Sequence, residues 1–193
     1  MRTKEINKLL FKTAFSCMAC DGDIDKSEIE LIRKLAKETN VFEGVDVEAE
    51  LKSGIEGINK NGFSFLSEYF KDIEKAELNT KEEFDIIKVA VATIFADGKI
   101  EYSELKFFKV IKMDLKIKTD DVYNKLEELY SFVKDYNKNR IKNIPEFEDF
   151  KTQIEDDFCS QDIFSNSYLN QLKTKYFESV ELPKFDPNIL NKA

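Results

Sequence analysis

The chain writes one short phrase twice, 76 residues apart: Cys20-Asp21-Gly22-Asp23-Ile24-Asp25-Lys26-Ser27-Glu28 and Ala96-Asp97-Gly98-Lys99-Ile100-Glu101-Tyr102-Ser103-Glu104. Self-similarity at a fixed offset is the signature of a duplicated structural unit. The alignment pairs Ala14 with Ala90, Asp21 with Asp97, Gly22 with Gly98, Ile24 with Ile100, Ser27 with Ser103 and Glu28 with Glu104. It continues into the flanking apolar positions, where Ile29, Ile32 and Leu35 meet Leu105, Phe108 and Ile111. The expectation is two helix-loop-helix units folded onto each other. Two of only 6 glycines fall at the same point of the phrase, which suggests a positive φ just past a helix end. The central isoleucine of each loop should then plug it into the core.

Hydrophobic spacing around the phrase is helical. Ile6, Leu9, Leu10, Thr13, Ala14, Cys17 and Met18 predict a first helix over about residues 3 to 20, ended by Asp21-Gly22. Asp25 with Glu28 three positions later has the form of a capping box for the second helix, which Asn40 and Gly44 close. Weaker helical stretches over Val47 to Ile58 and Phe63 to Leu78 flank Asn59-Lys60-Asn61-Gly62, a run with turn chemistry. Asn79-Thr80 caps a helix that is apolar nearly all round and therefore central. Leu105 to Ile111 continue the second copy, and Thr119-Asp120-Asp121 opens a helix through about Val133.

The last fifty residues read differently. Ile144-Pro145 breaks the chain, Phe147, Phe150, Ile154 and Phe158 share a helical face, a further helix is expected over Ser167 to Phe177, and Pro183 and Pro187 predict an extended end. The organisation is therefore an all-α bundle over 1–138, with repeats at about 3–42 and 79–118, and a C-terminal helical appendage over 139–193 with an extended tail.

Charge and cysteine content narrow the function classes. A net charge of -8 opposes a phosphate-binding surface, so no nucleic-acid partner is expected, and a protein or a cation is. Lys8 and Lys12 interrupt the apolar stretch that a secretion signal would need. The longest apolar run, Val89 to Ala96, falls well short of a membrane span. A cytoplasmic chain without direct membrane insertion is the expectation. Cys17 and Cys20 form a C-x-x-C, but their counterparts in the second copy are Thr93 and Ala96, so both read as small core residues.

Three positions per copy keep an acidic side chain: Asp21, Asp25 and Glu28, then Asp97, Glu101 and Glu104. Acids at the start of a helix cap free N–H groups and suit its dipole, at about 0.5 to 1 kcal/mol each. Several oxygen ligands in a short loop are also what a hard cation requires. The run Asp-Gly-x-Ile-x-x-x-Glu reproduces the second half of an EF-hand loop. Its first acidic ligands are replaced by Cys17 and Ala19 in one copy and by Thr93 and Phe95 in the other. A shared, weak site for Ca²⁺, Mg²⁺ or Zn²⁺ across both loops is the version that remains.

The pattern Ala-Asp-Gly-x-Ile-x-x-x-Glu, closing one helix and opening the next, twice, resembles the tellurite-resistance TerB-like family, a type also seen at the N-terminus of a DnaJ-like membrane cochaperone. The resemblance covers about residues 3 to 135. It implies an all-helical fold with pseudo-twofold halves and a metal-binding cluster at Asp21, Asp25, Glu28, Asp97, Glu101 and Glu104. Two positions depart from the pattern: Cys20 stands where the motif has Ala, and Lys99 answers Asp23.

The sequence thus points first to a non-enzymatic helical module that binds a divalent cation weakly and has a stress-response or partner-docking role. The alternative is a metal-free interaction scaffold that uses the aromatic-rich segment from Phe147 to Phe185. With 0 His, no phosphate loop and no nucleophile beside a base, an enzyme ranks last.

Overall fold

The computed structural model describes residues 2–20, 24, 26–96, 100–137, 145–159 and 184–192. Among them the secondary structure is helical throughout. α1 (Arg2–Ala19) and α2 (Lys26–Glu38) flank the first phrase, and α4 (Thr80–Ile94) and α5 (Tyr102–Asp114) flank the second. α3 (Val47–Lys75) lies between these pairs, and α6 (Thr119–Tyr123) and α7 (Leu126–Asn137) follow them. α8 (Phe147–Gln153) widens directly into a π-helical turn, Ile154–Cys159, and α9 (Ile189–Lys192) is a short final helix.

Local chemistry sets most of these bounds. The Asn79 side chain accepts from the N–H groups of Lys81 and Glu82, and Glu82 accepts from the N–H of Asn79, a complete capping box. Asp46 caps α3 through Ala49 N–H. The expected break at Asn59 to Gly62 is a kink inside α3: Asn61 leaves helical geometry (φ -163°, ψ 93°), and its side chain accepts from Ser64 N–H at 2.9 Å to restart the helix. Gly44 turns the chain after α2 at φ 77°, a conformation that costs a residue without Cβ nothing. Gly22 and Gly98, for which a positive φ was expected, lie outside the described residues, as does the helix expected over 167–177.

α1 and α4 pack along each other at the centre. α3 lies against α1 and also reaches α5, while α7 lies against α4 and also reaches α2. The arrangement buries α4 on nearly every side, from Phe84 to Ile94, as its unbroken apolar pattern requires. Two expectations shift. The helix foreseen through Val133 breaks at Asn124-Lys125, where Lys125 N–H turns back to Val122 O, and then runs on to Asn137. The extended end instead closes into α9, because Asp186 and Asn188 form a turn around Pro187.

The stretch 147–159 packs on the main unit. Phe150, Ile154 and Phe158 are buried in the same cluster as the repeats, and Phe95 packs on both Phe150 (5.4 Å) and Phe158 (5.9 Å). Each such ring contributes roughly 1.5 to 3 kcal/mol relative to an exposed one. No helix among the described residues is long and apolar enough to cross a membrane.

Candidate functional site

Both phrases begin where a central helix ends, and the two ends are built alike. Cys20 N–H donates to Cys17 O at 3.5 Å, and at the matching positions Ala96 N–H donates to Thr93 O at 2.9 Å. The matching side chain in the last turn of each helix also stays in the core: Cys17 is 1% exposed and Thr93 2%. Ile24 plugs the first loop at 2% exposure, whereas Ile100 packs against the core only in part.

Of the six carboxylates named by the sequence, Asp21, Asp25 and Asp97 lie outside the described residues. Glu28 sits in the first turn of α2, half-buried, and Glu104 in the first turn of α5, buried at 7% exposure. Glu101 is exposed at the N-cap of α5, and its N–H donates to Glu104 Oε2 at 2.7 Å. That bond satisfies one of the free donors at a helix start. Glu104 thus supplies the reciprocal half of a capping box whose other half is the Glu101 side chain.

The two glutamates from separate repeats bear on one buried group. Burial above all pushes the Cys17 thiol well above its ordinary pKa, and the carboxylates of Glu104 and then Glu28 push it further. Cys17 belongs to α1, which packs against both α2 and α5. The same neighbourhood holds Tyr69 of α3, whose hydroxyl donates to Thr13 Oγ1 at 3.0 Å. Burial, then Cys17, raises that phenol as well. Cys17 and Cys20 are reduced thiols buried in the core, and Cys20 Sγ donates to Cys17 O at 3.0 Å. Among the described residues, no group of three or more Cys, Asp or Glu side chains is placed to hold a metal ion.

A second cluster has no signature in the sequence, because it gathers α5, α6 and the π-helical turn. Cys159 shares a hydrogen bond with Tyr123 and faces Lys109 and Lys112. Burial raises this thiol despite both lysines, and lowers the two ammonium groups. A reactive cysteine needs its thiolate favoured, and here the neutral thiol is. At the opposite end of α1 from the loop, an open cleft of about 580 Å³ is lined by Lys8, Lys12, Lys75, Glu5, Asp72 and Glu77. Lys12 and Asp72 pair across it, and it takes no part in the loop chemistry.

No family model, no curated protein and no solved structure matches the chain.

Proposed function

We propose that the chain is a non-enzymatic, cytoplasmic, TerB-like module of two pseudo-symmetric helix-loop-helix repeats, whose paired acidic ends together take a hard divalent cation weakly in a stress-response or partner-docking role. The observation that carries this reading is that Glu28 and Glu104, one from each repeat, stand in the first turns of α2 and α5, both of which pack against α1. The matching hydrogen bonds at Cys20 and Ala96, and the pairing of α1 with α4, support the duplicated architecture. Affinity is low in this reading because Cys17, Ala19, Thr93 and Phe95 are buried where a complete calcium loop would offer its first oxygens.

Isothermal titration and thermal melting with Ca²⁺, Mg²⁺ and Zn²⁺ in turn test it. One of the three should give saturable heat and a raised Tm at millimolar concentration, the stabilisation reaching about 1.4 kcal/mol at tenfold the Kd. Glu28→Gln and Glu104→Gln should each weaken that response. Absence of heat and of any Tm shift with all three ions ends the cation reading.

A second reading is favoured by the Glu101 N–H bond to Glu104: the acids are caps, and the module is a metal-free scaffold. Under it the metals do nothing, while Glu104→Ala costs roughly 1 kcal/mol of stability through the lost cap. Phe150, Phe158 and Phe185 are buried, so a partner of such a scaffold meets other residues than these rings.

A further inference from the structure

The segment 184–192 returns to the surface made by α2 and the first half of α3, and it is held there as a bound peptide is held. The Asn59 side chain donates from Nδ2 to Phe185 O at 2.8 Å and accepts at Oδ1 from Phe185 N–H at 2.7 Å. One amide thus satisfies both main-chain groups of one residue, as a rung of an antiparallel ladder does. Such a clamp recognises extended backbone and leaves side-chain choice to the pocket, the logic of strand-addition peptide sites. The pocket's occupant is Phe185, 8% exposed.

Further along, Arg33 Nη2 donates to Leu190 O at 2.9 Å, while the same guanidinium is fixed by two bonds to Glu48 at 2.6 and 2.8 Å. Arg33 lies on α2 and Glu48 on α3, so the ion pair that ties the two walls also holds a donor ready for the peptide. Between the two anchor points the segment shapes itself. Asp186 Oδ1 accepts from both Asn188 N–H and Asn188 Nδ2, each at 2.9 Å, and Ile189 N–H donates to Asp186 O. Preorganisation of this kind lowers the ordering cost of binding.

The seat is also shallow. Asp186, Pro187 and Asn188 are exposed, and Ile189 and Leu190 are only half-buried. One aromatic anchor and a few backbone bonds give modest affinity, which is sustained here because a tethered segment acts at an effective concentration of roughly millimolar.

We infer that the α2–α3 surface is a docking site for a peptide of the form Phe-x-Pro-x-aliphatic-aliphatic, extended at the Phe and turning into a short helix after the Pro, and that residues 184–192 fill it as a tethered occupant which a partner protein's segment of the same chemistry displaces. Asn59 reads the backbone, the Phe185 pocket selects the aromatic, and Arg33 takes the carbonyl near the aliphatic pair. The inference is independent of the acidic loops.

A fluorescein-labelled peptide of residues 183–193, titrated into the full chain by fluorescence polarisation, tests it. The Phe185→Ala chain, with its own anchor removed, should bind the peptide at least about tenfold more tightly than the unaltered chain, a gap of about 1.4 kcal/mol. Adding Asn59→Ala to that chain should abolish the gain. A Phe185→Ala chain that keeps its circular dichroism and melting profile yet ignores the peptide at about 1 mM, or binds it without regard to Asn59, overturns the proposal. Should Phe185→Ala unfold, amide exchange on the unaltered chain decides instead. Excess unlabelled peptide should speed exchange at Phe185 and at 188–191 and leave α4 unchanged, and no acceleration overturns it. Tail-exchanged dimers of the unaltered chain on a sizing column would make the occupant a second copy, and would equally overturn the partner assignment.

Discussion

Helices α2 and α5 hold matching places in the repeated phrase, and later chain returns to cover each, yet the two covers differ in depth. Over α5 lies the π-helical turn, with Phe158 at 1% exposure, edge-on to Phe108 at 4.9 Å and stacked on Phe95 at 5.9 Å. Over α2 lies α9, whose Ile189 and Leu190 stay half-exposed and whose firm tie is one bond from Arg33. The cause is written at two positions. Where the second copy has Phe95 and Phe108, the first has Ala19 and Ile32, so only the second copy offers rings against which an aromatic cover can pack. A duplicated pattern fixes the frame, and the residues that differ decide whether what lies on it becomes core or strap.

The sharpest way to break this comparison is Phe158→Ala. If the cover of α5 is core, the substitution should cost about 3 to 5 kcal/mol, read as a lower urea midpoint for the whole protein. A loss confined to the segment, with the global midpoint unchanged, would make the two covers alike. Gly54→Ala examines the packing beneath the α2 half. A Cβ there would stand 2.7 Å from the Phe15 ring, which is buried at 1% exposure and cannot swing away. Overpacking should outweigh the better helix propensity of alanine and cost roughly 1 to 3 kcal/mol; a more stable protein would mean that the interface has slack.

Smallest is Glu48→Gln, which loosens the wall of the shallower seat. The hydrogen-bonded Arg33 guanidinium holds the Glu48 carboxyl below its usual pKa, so the pair contributes above the ordinary glutamate range and loses that contribution as pH falls through it. Glu48 is 61% exposed in its side chain, which keeps the effect near 0.5 kcal/mol. The Tm difference between variant and parent should be small at neutral pH and vanish in acid; a difference that grows on acidification contradicts the assignment.

Periodicity and caps made most of the helical frame readable in advance. The cap of α4 follows from Asn79-Thr80, an interruption over Asn59 to Gly62 from its turn chemistry, although it kinks α3 rather than dividing it, and the face of Phe147, Phe150, Ile154 and Phe158 from spacing alone. Steps of four residues from 150 to 158 also suit the wider i→i+5 turn that forms there. Other features depend on residues far apart in the chain and left no local trace. Asn59 reads as one more turn former, whereas its amide is spent on Phe185. Glu83, an ordinary first-turn acid in the sequence, is buried at 4% exposure and accepts Lys116 N–H from the loop after α5. Tyr69 beside Cys17 is equally invisible until α3 packs across α1. For the acidic site, the sequence named six positions; among the described ones, Glu28 and Glu104 act on a common group, and Glu101 presents its N–H to Glu104.

Phe95 carries a thermodynamic consequence. It is the C-cap of α4, two residues before Asp97, and its ring lies between Phe150 of α8 and Phe158 of the π-helical turn. Any ligand that shifts this cap as it grips the second loop must do work on the aromatic stack, and anything that orders the stack must alter the loop's affinity by the same factor. In the proposed cation reading, occupancy at the loop and the stability of the 147–159 packing would then share one coupling free energy, read from either end.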